Sequence, residues 1–272
     1  MTKPLVEIVT HAYAVEHRHY AAALCYQLSS LVLHPPKDCV VRTTVCYCDE
    51  DWAVKNVLKF FADHLDLRHW IASDRYRLGR RCIGRSSVAG YTLADFVWFA
   101  DVDQVWDGSC FDRLVAMPWP SGASMIYPKT IKIHRDHATG DAALAKVDLD
   151  NPRLIDVDPS EFIDKGYNRA IGGVQIVRGN FARQYGYLNG DPAWQQPAAK
   201  PFGDFRDDVA YRTFCWTKGP IVGVDLPGML RLRHSTTSYQ GPTLEKKKSQ
   251  TEGYFDLIRG KENGNAIQEI RR

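Results

Sequence analysis

The chain has 272 residues, of which 44% are hydrophobic and 25% are charged, and its formal net charge is +3. This composition is typical of a soluble globular protein, and the length allows one large domain or two halves that share a cleft. The mild net charge argues against strong binding to duplex nucleic acid. The sequence shows no apolar run of transmembrane length and no signal peptide. Its seven cysteines lack paired spacing, which indicates reduced thiols, so we expect a cytoplasmic protein.

The first hundred residues alternate between strand and helix patterns. Short runs of β-branched and apolar residues are followed by segments in which apolar residues recur at helical spacing. This alternation is typical of βαβ units, so it predicts an α/β fold with a mostly parallel, Rossmann-like central sheet flanked by helices. We predict strands at residues 5–10, 40–48, 67–72 and 96–100, with helices between them.

The strongest chemical signal lies in residues 96–106, FVWFADVDQVW. A buried strand runs into Asp101 and Asp103, with Val102 between them, and residues i and i+2 of an extended strand point to the same side. Two carboxylates roughly 4 Å apart repel by about 4 kcal/mol at an effective dielectric near 20, so the pair favours a bound divalent cation. The alternative interpretation is a simple turn or helix cap after the strand.

Polar residues follow the other predicted strands of the sheet. Parallel sheets bind ligands beyond the carboxyl ends of their strands, at the point where the strand order reverses. We therefore expect the residues at these ends to converge with Asp101 on one crevice. They are the loop residues Thr10, His11 and Ala12 after the first strand and Asp49 after the second.

The second half of the chain has weaker patterns. Residues 129–168 show no clean period, and we interpret them as long loops of the kind that form lids or binding segments. Gly172 and Gly173 then open a strand at 171–177, which indicates either the close approach of a ligand or backbone, or a simple bulge or turn. The remaining predictions are a short helix ending near 117, a strand at 124–127, a helix at 204–216, a strand at 221–224 and a polar tail at 244–272.

Two further motifs carry positive charge or a potential metal ligand. Residues 79–86 resemble a phosphate-binding P-loop, but Arg85 stands where that motif requires lysine. Arg81 and Arg85 remain suited to an anionic ligand because guanidinium groups pair with phosphate in a bidentate way. His234 follows the last strand in a basic loop and is either a metal ligand or a solvated histidine.

Taken together, these motifs resemble a glycosyltransferase of the GT-A fold, closest in pattern to glycosyltransferase family 2. In that family an arginine precedes the first aspartate of an Asp-x-Asp motif by sixteen residues, as Arg85 precedes Asp101 here. A later signature of that family, an acidic residue, an Asp and then an Arg a few positions on, is resembled by Asp207, Asp208 and Arg212, with three residues between Asp208 and Arg212. The resemblance covers about residues 5–235.

The resemblance implies transfer of a sugar from a nucleotide-sugar donor, expected to be a UDP-sugar, to an acceptor hydroxyl. It implies Mn²⁺ or Mg²⁺ as the cofactor, held by Asp101 and Asp103 and completed by His234. The implied donor-binding residues are Thr10, His11, Ala12, Asp49, Arg81, Arg85, Asp101 and Val102.

The acceptor side is implied less directly. If the enzyme inverts, Asp208 is the expected general base and Asp207 the second choice, while Gly172, Gly173 and Trp194 are expected to line the acceptor site. We expect a single catalytic domain at 1–243, with a donor half at 1–128 and an acceptor half at 129–243.

Two other functions remain open at this point. The same fold could glycosylate a hydroxymethylated base in DNA, and the basic run at 246–248 is compatible with that substrate. The protein could instead be a non-catalytic sugar- or nucleotide-binding module in which the acidic pair is structural. A sugar nucleotidyltransferase shares the architecture, but the glycine-rich first loop of that class is missing.

Overall fold

The computed structural model describes residues 2–13, 17–189, 192–198 and 206–235. The predicted tail at 244–272, with its lysine run, and the first residues of the predicted helix at 204–216 lie outside them. The described residues up to Ser235 form one compact unit. None of the helices within these ranges has the length and apolar character needed to cross a membrane.

The amino-terminal half follows the predicted alternation. Strand β1 ends at His11 rather than Thr10, and the Ala12 amide still donates to the Cys46 carbonyl at 2.9 Å, so the prediction of a loop at His11 is wrong. The elements are β1 Leu5–His11, α1 His19–Leu33, β2 Val40–Cys48, α2 Trp52–Phe61, β3 Asp66–Ala72, α3 Arg75–Gly79, α4 Arg81–Tyr91 and β4 Phe96–Phe99.

The carboxyl-terminal half contains more regular structure than predicted. Its elements are β5 Gln104–Trp106, α5 Gly108–Ala116, β6 Met125–Pro128, β7 Thr130–His134, α6 His137–Leu144, β8 Phe162–Gly166, β9 Gln175–Arg178, α7 Gly179–Tyr185, α8 Asp207–Lys218, β10 Ile221–Val224 and β11 Met229–Arg231. The prediction that 129–168 is loop is wrong, because β7, α6 and β8 lie within it. Only Phe162 of β8 is buried, so that strand carries almost no apolar pattern.

Seven strands form the central sheet, in the order β10-β6-β9-β4-β1-β2-β3. All neighbours are parallel except β9, which runs antiparallel to β4 and β6. The chain leaves β1 toward β2 and β3, and then returns to place β4 on the other side of β1. The strand order therefore reverses between β1 and β4, where α/β folds open a ligand-binding crevice.

The described residues also form a second, four-stranded sheet in the order β5-β11-β7-β8. β5 pairs antiparallel with β11, so that Arg231 lies opposite Gln104, and the Leu232 amide donates to the Asp103 carbonyl at 2.8 Å. This pairing brings the segment around His234 to the acidic pair, although the two are more than a hundred residues apart in sequence.

Helix α6 packs against the end of β7 and the segment that follows β11. A Cβ atom at Gly140 would lie well inside van der Waals contact of the Arg233 carbonyl oxygen and 2.9 Å from His134 Nδ1. Gly140 therefore allows the helix to pack directly against the backbone that leads to His234.

We predict that Gly140→Ala lowers the free energy of unfolding by about 1–3 kcal/mol, because the added methyl group overpacks a backbone contact. Gly90→Ala is the matched control, since no atom lies within 4 Å of its added Cβ and alanine favours helix. Chemical denaturation of both variants measures the difference. Equal stability of G140A and the wild type would contradict the packing described.

Candidate functional site

Asp101 and Asp103 follow β4 at the reversal of strand order. The backbone turns at Val102, and the Gln104 amide donates to the Asp101 carbonyl at 3.3 Å. Because the strand ends before the motif, the two carboxylates do not follow extended-strand geometry as predicted. Each has instead its own arginine partner.

Asp101 is held by arginines from α4. Its Oδ1 accepts a hydrogen bond from Arg81 Nη1 at 2.8 Å and lies 3.7 Å from Arg85 Nη2. Burial raises the pKa of Asp101, but the charges of Arg81, Arg85 and Arg231 outweigh this effect and hold the pKa below its usual value. Asp101 is therefore ionised at neutral pH.

The two helix arginines differ in what they face. They lie one turn apart on α4, and residues at this spacing share a helix face. Arg85 is fully buried and donates to Tyr187 Oη at 2.8 Å and to the carbonyls of Ala100 and Gly172 at 3.3 Å each. The Arg81 side chain is 19% exposed, so it is the one that a ligand can reach.

Asp103 is the more deeply buried member of the pair, with 5% of its side chain exposed. Its Oδ2 accepts a hydrogen bond from Arg231 Nε at 2.9 Å, while its Oδ1 is buried and has no hydrogen-bond partner among the described residues. Buried polar atoms are normally paired. This oxygen is therefore a place where a ligand would complete the site.

The rings of Tyr20 and His234 are electrostatically coupled to Asp103. The buried His234 ring lies 4.6 Å from that of His19 and 5.8 Å from that of Tyr20, between ring centroids. Burial lowers the pKa of His234, although the Asp103 charge opposes the shift, and burial lowers that of His19 to about 4. Both imidazoles are neutral at pH 7. Burial, with the charges of Asp103 and Asp101, raises the pKa of Tyr20 to about 12.

Asp207 and Asp208, at the start of α8, have different surroundings. Asp207 is fully buried, and its Oδ2 accepts from the Cys82 amide at 2.9 Å while Oδ1 lies 3.6 Å from Arg80 Nη1. Asp207 thus satisfies an orphan amide in the first turn of α4. Asp208 is 19% exposed, and its Oδ1 lies 4.0 Å from Arg81 Nη2.

Gly172 and Gly173 lie in the turn before β9 rather than within a strand that starts at 171. A Cβ atom at Gly173 would overlap the side-chain Nε2 of Gln104 and lie 2.9 Å from Asp101 Oδ2. A Cβ atom at Gly172 would lie 3.3 Å from Asp208 Oδ2. The structure shows both features that the sequence left open, because the glycines form a turn and their backbone lies against the side chains of Gln104, Asp101 and Asp208. The glycines allow the turn to reach both carboxylates.

A buried hydrogen-bonded chain that the sequence analysis missed connects the two sides of the site. Arg85 Nη1 donates to Tyr187 Oη, which donates to Gln175 Oε1 at 3.0 Å, and Gln175 Nε2 donates to the Asp208 carbonyl at 2.8 Å. The one available signal was a glutamine inside the apolar run of β9. Tyr187 gave no signal, because it lies beyond α7 in a turn.

The remaining predicted residues lie around this cluster without joining it. The side chains of Thr10 and His11 are buried, and His11 packs against Gly84 of α4. Asp49 is 73% exposed and pairs with Lys55 at 3.1 Å. Trp194 lies in a 3₁₀ turn, Pro192–Gln195, with the Arg80 guanidinium 5.6 Å above its ring.

The metal ligands implied by the resemblance are neighbours but are not arranged as a coordination shell. No group of three or more His, Cys, Asp or Glu side chains in the described ranges has the geometry of a metal site. Arg81 instead pairs with one carboxylate oxygen of Asp101, and Arg231 pairs with one carboxylate oxygen of Asp103. The cluster is thus charge-compensated by guanidinium groups.

No protein-family model matches this sequence, and no curated protein sequence matches it. Solved structures do. S. aureus TarS (residues 1–349) in complex with UDP-GlcNAc is 11% identical, with a TM-score of 0.52, over 88% of this chain and 62% of that one. The mannosyltransferase PcManGT from Pyrobaculum calidifontis, in complex with GDP-Man and Mn²⁺, is 11% identical, with a TM-score of 0.52, over 85% and 58%.

This chain spans about three fifths of the length of these two structures. At this level of identity the similarity establishes the architecture. The chain has the GT-A-type glycosyltransferase fold that its sequence predicts.

Proposed function

We propose that this protein is a metal-dependent glycosyltransferase that moves a sugar from a nucleotide-sugar donor, expected to be a UDP-sugar, to an acceptor hydroxyl. One observation carries the proposal. The acidic pair Asp101 and Asp103 lies beyond the carboxyl end of β4, at the reversal of strand order where α/β folds bind their ligands. Structures of the same fold hold UDP-GlcNAc or GDP-Man.

The charges of the cluster favour entry of a diphosphate together with a divalent cation. Four arginines lie within 4.0 Å of four aspartates, and the formal charges of these eight side chains cancel. A nucleotide-sugar diphosphate adds about two negative charges, and uncompensated buried charge is costly. A divalent cation restores the balance. The charged residues are Arg80, Arg81, Arg85, Arg231, Asp101, Asp103, Asp207 and Asp208.

The donor atoms fit Mn²⁺ or Mg²⁺. Asp103 offers a buried carboxylate oxygen that lacks a hydrogen bond to the described residues, Asp101 offers a second carboxylate, and His234 offers a neutral imidazole, which suits Mn²⁺ in particular. When bound, the ion would supply Lewis-acid stabilisation of the charge on the leaving diphosphate. Mn²⁺ is present in the PcManGT structure.

Arg81 is the side chain that we assign to the donor diphosphate. It is partly exposed, it already binds a carboxylate, and a guanidinium group presents the paired donors that phosphate accepts. Arg85 is assigned a positioning role, since its buried guanidinium holds Asp101 and the Gly172 carbonyl. Thr10, His11, Ala12, Asp49 and Val102 are assigned to the walls and rim of the nucleoside side.

Asp208 is assigned as the general base that removes the acceptor proton. It is the partly exposed carboxylate beside the Gly172–Gly173 turn, and a positioned base contributes roughly 10² to 10⁴ in rate. Asp207, the second choice from sequence, is assigned a structural role because its carboxylate is fully buried against α4. Trp194 is assigned to the acceptor side, where its ring can stack on a sugar.

We predict that Asp103→Ala lowers donor turnover by at least about a hundredfold, because it removes both a metal ligand and transition-state charge stabilisation. Release of nucleoside diphosphate from UDP-, GDP- and dTDP-sugars, with Mn²⁺ and with EDTA, measures this loss. Asp63→Asn, an exposed change outside the site, should behave as wild type. Turnover in D103A equal to wild type would exclude the assignment, and absence of any donor binding would favour a different function.

We predict that Asp208→Asn reduces sugar transfer by about 10² to 10⁴ without weakening donor affinity, as expected for loss of a base. Asp207→Ala should instead lower the free energy of unfolding by about 2 kcal/mol, since it leaves the Cys82 amide and Arg80 without their partner. Donor titrations, transfer rates and denaturation curves of both variants separate the two roles. Both assignments would be refuted if D207A unfolds like wild type and D208N retains full transfer.

A further inference from the structure

Nothing in the sequence around Arg231 predicted that it would lie beside Asp103. It ends β11, lies opposite Gln104 in the antiparallel pairing with β5, and is fixed beside Asp103 because the next amide, that of Leu232, donates to the Asp103 carbonyl. Its Nε then donates to Asp103 Oδ2 at 2.9 Å. Backbone pairing and side-chain bond together place a guanidinium on the carboxylate that we assign to the metal.

Arg231 contacts Asp103 directly and is electrostatically coupled to Asp101 as well. The Asp103 charge raises the pKa of Arg231 most strongly, and Asp101 acts in the same direction. The side chain is 27% exposed, so part of it remains open to solvent while its Nε holds Asp103. A guanidinium has donors beyond the one used here, and these are suited to phosphate oxygens.

A cation bound to Asp103 would have to share that carboxylate with Arg231. Like charges within several ångströms repel, and a carboxylate already paired with guanidinium offers less negative potential to an incoming ion. A diphosphate changes this balance, because it gives the guanidinium a second anionic partner.

We propose, on the basis of the function proposed above, that Arg231 competes with the divalent cation for Asp103 and turns to the diphosphate when the nucleotide binds. The protein without nucleotide therefore binds metal weakly, and the nucleotide and the metal bind cooperatively. Arg231 is in this account a ligand of the leaving diphosphate as well as the resting partner of Asp103.

Direct Mn²⁺ binding, without nucleotide or turnover, tests this proposal. Electron paramagnetic resonance of free Mn²⁺ gives the affinity of the wild type and of Arg231→Gln, Arg231→Met and Arg231→Lys. We expect R231Q and R231M to bind Mn²⁺ about tenfold more tightly than the wild type, because one nearby positive charge is removed. R231K keeps the charge and should stay within about threefold of the wild type.

A second titration adds UDP. UDP should raise the Mn²⁺ affinity of the wild type by at least about tenfold and should raise that of R231Q and R231M much less. Asp103→Asn, which removes the contested carboxylate, should abolish Mn²⁺ binding in both conditions. Thermal unfolding shows whether each variant is folded. If R231Q is unfolded, R231M provides the neutral variant, because it keeps an apolar stem.

Two outcomes would overturn the inference. They are unchanged Mn²⁺ affinity in both neutral variants, and UDP-induced tightening that is as large in them as in the wild type. If UDP, GDP and dTDP all fail to bind the wild type with or without Mn²⁺, the proposed function fails. The Mn²⁺ titrations without nucleotide still decide whether Arg231 competes for Asp103.

Discussion

The pairing of the two aspartates after β4 with arginines from distant elements is the interaction on which the site depends. Asp101 is compensated by Arg81 and Arg85 of α4, and Asp103 by Arg231 of β11. Without these partners, two ionised carboxylates this close and this buried would be costly. The negative charge of the acidic pair is therefore balanced by guanidinium groups, and a bound cation would replace part of that balance.

The surrounding structure keeps these partners in register. Asp207 satisfies the Cys82 amide in the first turn of α4, next to Arg81, while the β5–β11 pairing fixes Arg231 against Asp103. The turn at Gly172–Gly173 approaches both Asp101 and Asp208 more closely than a side chain would allow. The candidate residues thus form two groups. Arg81 and Asp208 are partly exposed at the site, whereas Arg85 and Asp207 are buried and hold the surrounding structure in place.

The sequence predicted what is encoded locally. The alternation of apolar runs predicted the order of β1–β4 and their helices, and the Asp-x-Asp spacing identified the acidic pair. It could not predict features that depend on pairing between distant strands. β8 buries only Phe162 and so resembled a loop, and nothing near Arg231 indicates that it will meet Asp103. Asp207 is fully buried, whereas its neighbour Asp208 is partly exposed, because Asp207 packs against α4, which lies more than a hundred residues earlier in the chain.

The proposed function requires that a nucleotide-sugar binds beside the acidic pair, at the reversal of strand order between β1 and β4. A crystal structure with UDP and Mn²⁺, with the manganese located by its anomalous scattering, tests it most directly. We expect one manganese peak in contact with Asp103, with the diphosphate between that ion and Arg81. A nucleotide bound elsewhere on the surface, or a manganese peak that contacts neither Asp101 nor Asp103, would rule out the proposed site.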